Sequence, residues 1–247
     1  MQSSKKRLDI LVVERNLAQS RQRSQALILS GRILVDHEPV DKPGSLIPVH
    51  SEISLKGEDL PFVSRGGLKL DYALDEFKMD VTHLICLDVG ASTGGFTDCL
   101  LQRGASKVIA VDVGYGQLAW NIRNDPRVLV LERTNIRYLP DHALPCPVDF
   151  ACIDVSFISL KIVIPAVLKF MKKSSRIVAL IKPQFEVGKG KVGKGGIVKD
   201  PELQQTVLED LNLFFTSKGL TCQGVLPSPV LGAKGNKEFL VSLVLPE

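Results

Sequence analysis

Charged side chains stand at the ends of three apolar runs in this chain. Asp154 follows Phe150-Ala151-Cys152-Ile153, Lys182 follows the run 177–181 and precedes Pro183, and Glu238 precedes the run 239–245. A lysine that closes an apolar strand is usually a surface group. Beside a carboxylate on another strand end it can instead take or share a proton, once desolvation and a nearby cation favour its neutral form. Spacing alone leaves both roles open. In an open α/β sheet, ligands bind outside the carboxyl ends of the parallel strands, so Asp154 and Lys182 are expected to face one crevice.

A glycine loop is expected at the same edge. The apolar run 84–89 leads directly into Gly90-Ala91-Ser92-Thr93-Gly94-Gly95, and residues 96–102, beginning with Phe96, continue as an apolar-faced helix. Strand, glycine loop and helix in that order give a glycine motif its meaning. The glycines permit a sharp turn and close approach of a ligand to the backbone. A second strand, 108–111, ends in Asp112, where a carboxylate can accept hydrogen bonds from ribose hydroxyls. The dinucleotide pattern G-x-G-x-x-G fails, because Ser92 occupies the position of the glycine that admits a pyrophosphate. Asp88, just before the loop, suits a ligand with a cationic amino-acid end. S-adenosylmethionine has an ammonium and a sulfonium and no phosphate. It is the expected cofactor, held by Asp88, Gly90, Ser92, Thr93, Gly94, Gly95, Phe96 and Asp112, with Asp154 on the same crevice. Taken singly, Asp112 could be a helix cap and Gly94-Gly95 a packing device; their order within one βαβ unit favours the ligand.

The elements that must position these groups fall into two blocks. Residues 5–60 hold Leu8, Leu11, Val12 and Leu17 at helical spacing, then Ser20 as an N-cap before a helix over 21–30 that stops at Gly31. Short β-type segments at 33–35 and 53–55 flank the turn-rich stretch 38–44. Within residues 1–35, seven positive side chains face two negative ones, an excess greater than the +4 of the whole chain. Such a cluster on two short helices is the footprint of phosphate contacts, or simply a solvated face. Residues 61–64 read as a linker, with Pro61 discouraging either element from continuing. From 65 to 247 strands alternate with helices, which predicts a Rossmann-like α/β domain on a mostly parallel seven-stranded sheet, preceded by a small α+β domain.

Bulk properties exclude several classes. The apolar stretches 107–113 and 177–181 are strand-length, far short of the ~20 residues of a membrane helix, and residues 1–7 lack a signal-type apolar region. A cytoplasmic protein with no membrane partner is expected. Five cysteines form no C-x-x-C pair and His37, His50, His83 and His142 show no ligand spacing, so neither disulfides nor a metal are expected.

Two resemblances sharpen these expectations. Arg7-Leu8-Asp9, Ser20-Arg21, Gly31-Arg32-Ile33-Leu34-Val35-Asp36 and Val40-Asp41-Lys42-Pro43 resemble the αL RNA-binding motif of a small-subunit ribosomal protein, pseudouridine synthases and tyrosyl-tRNA synthetases. The resemblance implies RNA contacts from Lys5, Lys6, Arg7, Ser20, Arg21, Arg23 and Arg32, made largely by shape and backbone. Asp88 to Gly95, Asp154, Lys182-Pro183 and Glu238, with Lys69 in Arg65-Gly66-Gly67-Leu68-Lys69-Leu70, are similar to the Lys-Asp-Lys-Glu tetrad of FtsJ-like ribose 2′-O-methyltransferases. Joined to the N-terminal motif, the chain from about residue 5 to 245 resembles the TlyA family, long labelled "hemolysin". That membership implies 2′-O-methylation of cytidine in ribosomal RNA within assembled ribosomal particles. It also implies an adenine contact from Asn135, where related enzymes place an aspartate.

A ribose hydroxyl holds its proton at neutral pH, whereas a sulfonium methyl is already activated. Such a reaction needs proton removal and in-line positioning rather than a metal. Lys182 then takes the proton or stabilises the alkoxide, Lys69 supplies the neighbouring cation, and Asp154 and Glu238 orient the two ammonium groups. Gly188 to Gly195 nearly matches a P-loop, but Gly195 stands where the Mg²⁺-binding hydroxyl belongs, which excludes ATP and GTP. Its Lys189, Lys191 and Lys194 are better placed to hold RNA phosphates, with a solvated loop as the plain alternative. The remaining rivals are a dehydrogenase (opposed by Ser92), a pseudouridine synthase (opposed by the cofactor loop), a membrane-active cytolysin, and a catalytically weak RNA-binding or ribosome-assembly factor.

Overall fold

In the first of two units, Met1–Leu60, apolar side chains at helical and alternating spacing close a small core of Leu8, Leu11, Val12, Leu27, Ile28 and Ile33. The computed structural model describes residues 4–18, 20–56, 60–188, 190, 192–193 and 195–247. Strand β1 (Lys5–Arg7) runs into α1 (Leu8–Glu14), followed by α2 (Arg21–Leu29), β2 (Ile33–Val35), β3 (Glu38–Pro39), β4 (Leu46–Pro48) and β5 (Ile53–Leu55). β1 pairs antiparallel with β4, and β3-β2-β5 form a second antiparallel sheet. Ser20 caps α2 by accepting from the Arg23 N–H at 3.2 Å, and Gly31, at φ +68°, supplies the left-handed residue that ends it.

One charge lies inside this core. The Asp9 carboxylate is fully buried and accepts from Arg7 Nε and Nη2 at 3.0 Å each, from Arg21 Nε at 2.9 Å and from Gln25 Nε2 at 2.9 Å. A buried carboxylate is tolerable only with such donors. The Arg7 guanidinium, helped by Gln25 and Arg21, holds the Asp9 carboxyl well below the usual range against the opposing pull of burial.

The second unit, Pro61–Glu247, contains α3 (Arg65–Glu76), β6 (Ile85–Val89), α4 (Gly95–Gln102), β7 (Lys107–Val111), α5 (Trp120–Arg123), β8 (Val128–Leu131), β9 (Val148–Ile153), α6 (Leu160–Leu168), β10 (Met171–Ile181), α7 (Pro183–Glu186), α8 (Pro201–Ser217), β11 (Thr221–Pro227) and β12 (Phe239–Val244). The seven-stranded sheet has the order β11-β12-β10-β9-β6-β7-β8. β12 runs antiparallel to both neighbours, and the ladders from β10 to β8 are parallel. The central strands are apolar on both faces, as a sheet covered on both sides requires. Leu87, Val89 and Ile109 pack with Val163, Leu211 and Phe215 of α6 and α8. Cys86, Val108 and Phe150 pack with Leu70, Leu74 and Leu100 of α3 and α4.

Residues 61–64 belong to this unit's packing. Phe62 is buried against the α3–α4 layer, Val63 N–H donates to Asp98 Oδ2 at 2.7 Å, and Gln102 Nε2 donates to the Pro61 carbonyl at 2.9 Å. The cysteines are all free; Cys86, Cys99 and Cys152 are buried, and burial pushes their thiols up. Among the described residues no helix is long and apolar enough to cross a membrane.

The Asp9 cluster sets a pH dependence for the first unit. A carboxyl held low in the fold contributes stability that is complete above its unfolded range, near pH 4, and is lost as pH falls below it. Asp9→Ala should cost the α1–α2 layer on the order of 2–3 kcal/mol at pH 7 and a smaller but still measurable amount at pH 2–3, where the loss is under way and not complete. Amide hydrogen exchange over residues 8–29 of the full chain reads both values.

Candidate active site

The direction of strand succession reverses between β6 and β9, and the backbones leaving these strands meet there. Asp154 N–H donates to the Val89 carbonyl at 2.9 Å. Gly90 has φ +89°, and a Cβ on it would lie 2.3 Å from the Asp154 carbonyl oxygen. No other residue fits at that point. The loop then turns through Ser92, itself left-handed at φ +49°, and enters α4 at Gly94, φ +95°. Asp112, just beyond β7, fixes the turn by accepting from Ser92 N–H at 2.7 Å through Oδ2 and from Gly114 N–H at 2.6 Å through Oδ1.

The four charged groups form two ion pairs in the cleft beside this loop. The β10–β12 ladder ends with Ile181 opposite Phe239, so Lys182 and Glu238 leave the sheet side by side. The Lys182 ammonium lies 2.6 Å from Asp154 Oδ1, an ion pair without hydrogen-bond alignment, and donates to Ser156 Oγ at 3.0 Å. Lys69, on α3, donates to Glu238 Oε2 at 2.5 Å. Lys69 is only 8% exposed and Glu238 4%. Both pairs line one cleft of about 480 Å³, together with Gly90, Ser92, Thr93, Gly95 and Phe96. Gly232 lies so close to the Glu238 carboxylate that a side chain there would collide with it.

Two other expected cofactor residues, Asp88 and Asn135, are not among those lining the cleft. Asp88 is completely buried; Thr97 Oγ1 donates to its Oδ2 at 2.6 Å, and Oδ1 has no partner among the described residues. Burial pushes the Asp88 carboxyl up to about 7, opposed by the Thr97 hydroxyl and reinforced by the nearby Asp154 charge. Asn135 caps the short turn Ile136–Tyr138 through Oδ1, which accepts from Arg137 N–H at 3.1 Å.

Among the residues expected to meet RNA, Lys5 is exposed and Lys6 pairs with Glu14 at 2.9 Å. Arg7 and Arg21 bind Asp9, and Ser20 caps α2. Arg23 and Arg32 are half-buried, with Arg32 Nε donating to the Lys56 carbonyl at 3.4 Å. Lys189, Lys191 and Lys194 lie outside the described residues. Sequence reasoning passed over Ser156, whose only signal is its place two residues beyond Asp154. It also passed over Phe157, 91% exposed at the cleft mouth with its ring 5.0 Å from that of Phe185.

Comparison with known proteins places both units. Residues 62–245 match the model of the FtsJ-like methyltransferases, and residues 6–53 match the S4 domain. YqxC of Bacillus subtilis, a candidate rRNA methyltransferase, is 48% identical over 248 residues, covering 100% of this chain and 88% of that protein. The 16S/23S rRNA (cytidine-2′-O)-methyltransferase TlyA of Mycobacterium tuberculosis (strain H37Rv) is 46% identical over 238 residues, covering 96% of this chain and 89% of that protein. The solved structure of a candidate hemolysin from Streptococcus thermophilus superposes with a TM-score of 0.77 at 42% identity, covering 99% of this chain and 90% of that one. Fold and site together define a methyltransferase-type α/β domain joined to an S4 module. The chain belongs to the FtsJ-like methyltransferase family.

A carboxyl raised in the fold stabilises it fully below its unfolded range, and that contribution declines as pH rises from about 4 through 7. Asp88→Asn removes the dependence. Thermal midpoints of the two proteins should agree below pH 4 and separate progressively up to pH 8, with the variant higher.

Proposed function

We propose that this chain transfers a methyl group from S-adenosylmethionine to the ribose 2′-hydroxyl of cytidine in ribosomal RNA, acting on assembled ribosomal particles in the cytoplasm. The observation that carries this reading is the pairing of Lys182 with Asp154 and of Lys69 with Glu238 in one cleft beside the glycine loop. Relatives with 46% identity that are named rRNA (cytidine-2′-O)-methyltransferases support the substrate.

The loop suits the cofactor chemically. Gly90 lets the loop pass directly over the Asp154 backbone, the loop residues line the cleft beside the two ion pairs, and Asp88 keeps a carboxylate oxygen without a partner among the described residues. Gly90, Ser92, Thr93, Gly94, Gly95 and Phe96 would hold S-adenosylmethionine, with Asp112 toward the ribose, Asn135 toward the adenine, and Asp88 and Asp154 toward the cationic end. When bound, it supplies an electrophilic methyl group on a sulfonium. Lys182, buried and held between Asp154 and Ser156, takes the hydroxyl proton or steadies the forming alkoxide. Lys69, fixed by Glu238, holds the second ion pair in the same cleft. Charge disperses as sulfonium and alkoxide combine, so a largely water-free cleft assists the step.

Residues 5–60 serve as the RNA-binding module, 61–64 as the join and 65–247 as the catalytic domain. Lys5, Lys6, Arg7, Ser20, Arg21, Arg23 and Arg32, with Lys189, Lys191 and Lys194 from the catalytic domain, contribute the phosphate contacts.

Radiolabelled methyl transfer to unmethylated bacterial 30S and 50S particles tests the proposal. Label should enter rRNA and render one linkage resistant to alkali. Lys182→Ala should lower the rate by about 100-fold or more while S-adenosylmethionine affinity stays within twofold. Label on a base, or none on either particle despite cofactor binding, would overturn the assignment.

A further inference from the structure

Lys182 owes its place to two segments from different parts of the chain: the loop 154–159 between β9 and α6, and the short helix α7 that begins directly after it. Three successive contacts join these segments. Lys182 meets Asp154 and Ser156. Phe185, one turn further on, packs its ring 5.0 Å from that of Phe157. Glu186 closes the series at the N-terminus of α6: Ser159 Oγ donates to its Oε2 at 2.5 Å, and Leu160 N–H donates to its Oε1 at 2.8 Å. The same Ser159 hydroxyl caps α6 by accepting from Lys161 N–H at 3.1 Å. Glu186 thus grips both the cap residue and the first turn of the helix that follows the loop.

The loop needs that grip. Phe157 has φ +64° and is 91% exposed, so neither its backbone conformation nor its own burial holds it, and a non-glycine residue there is strained. Ser156 is exposed as well. Val155 and Ile158 pack against the core, but neither sets the direction of the polar side chains between them; Glu186 is the polar anchor at the far end of the segment that carries both partners of the Lys182 ammonium.

We propose that Glu186 is a positioning residue for the methyl-transfer reaction: by clamping Ser159 and Leu160 to α7, it holds Asp154 and Ser156 in register with Lys182. This rests on the reaction proposed above. Glu186 does not touch the cleft, and its action is geometric rather than electrostatic. A glutamine can rebuild both contacts, its amide oxygen accepting from Leu160 N–H and its amide nitrogen donating to Ser159 Oγ. Displacement of a reacting group by an ångström or less is enough to cost one to two orders of magnitude in rate.

Steady-state methyl transfer to unmethylated 50S particles, with cofactor affinity measured separately by calorimetry on the full chain, tests the role. Glu186→Ala should lower kcat about tenfold to a hundredfold, with the KM for particles and the Kd for S-adenosylmethionine within twofold of the parent. Glu186→Gln should recover most of the loss. Ser159→Ala, which removes one of the two donors, should fall between them. Unchanged kcat in both Glu186→Ala and Ser159→Ala overturns the proposal. So does a loss in which kcat, particle KM and cofactor affinity fall together, which marks a general scaffold role, and so does a Glu186→Gln variant as impaired as the alanine. Failure of the parent protein to transfer methyl at all would instead reject the reaction itself.

Discussion

The backbone contact between Gly90 and Asp154 governs where everything else in the second unit can stand. Two parallel strands leave the sheet together at β6 and β9, and the chain turns away from both at once. The turn is possible because the α-carbon of Gly90 lies where a side chain would meet the Asp154 carbonyl. That approach sets the floor of the cleft. It also fixes the direction from which Asp154 reaches Lys182 and brings the Asp88 and Asp154 carboxyls close enough to influence one another. Strand twist and apolar burial build the sheet, but this one contact makes its edge a site rather than a rim.

Charge is distributed over that site by pairing. Each ammonium has one carboxylate within 2.6 Å, and each pair joins groups from different elements, so neither forms until the surrounding packing is complete. Buried pairs of this kind contribute little net stability, because desolvation offsets the attraction. Their contribution here is geometric: they hold two flexible side chains in place inside a cleft. The S4 unit shows the same physics in another setting, where Asp9 orders Arg7 and Arg21 at the end of β1 and the start of α2.

Much of this was legible in the sequence because it depends on local pattern. The helix expected over 21–30 and found over 21–29, the strands 33–35 and 53–55, the strand expected over 108–111 and found over 107–111, the glycine loop and the charged strand ends at Asp154, Lys182 and Glu238 follow from apolar period and punctuation. Lys69 was reachable only by resemblance. It lies on a helix whose first turn contains Gly66-Gly67, a poor helix former, and the glycines are there because Phe62 and Gly95 press against that turn. Side-chain roles set by tertiary contact left no trace. Ser20 stands as the helix cap that its position marks, whereas the turn cap made by Asn135 had no signal in the sequence. Ser156 and Glu186 are ordinary polar residues until the fold brings loop and helix together.

The antiparallel course of β12 has a consequence for how the protein comes into being. Because this strand runs opposite to its neighbours, its beginning, not its end, lies at the ligand edge, and so Glu238 meets a lysine 169 positions earlier. On a ribosome, synthesis proceeds from the N-terminus and domains fold as they emerge. The glycine loop, Asp154 and Lys182 are all exposed to the cell before Glu238 has been translated. Lys69 therefore waits through most of elongation without its counter-ion, and the second ion pair forms in one late event, when β12 slides between β10 and β11. A nascent or prematurely terminated chain can carry the loop and three of the four charged groups, yet it lacks the completed cleft.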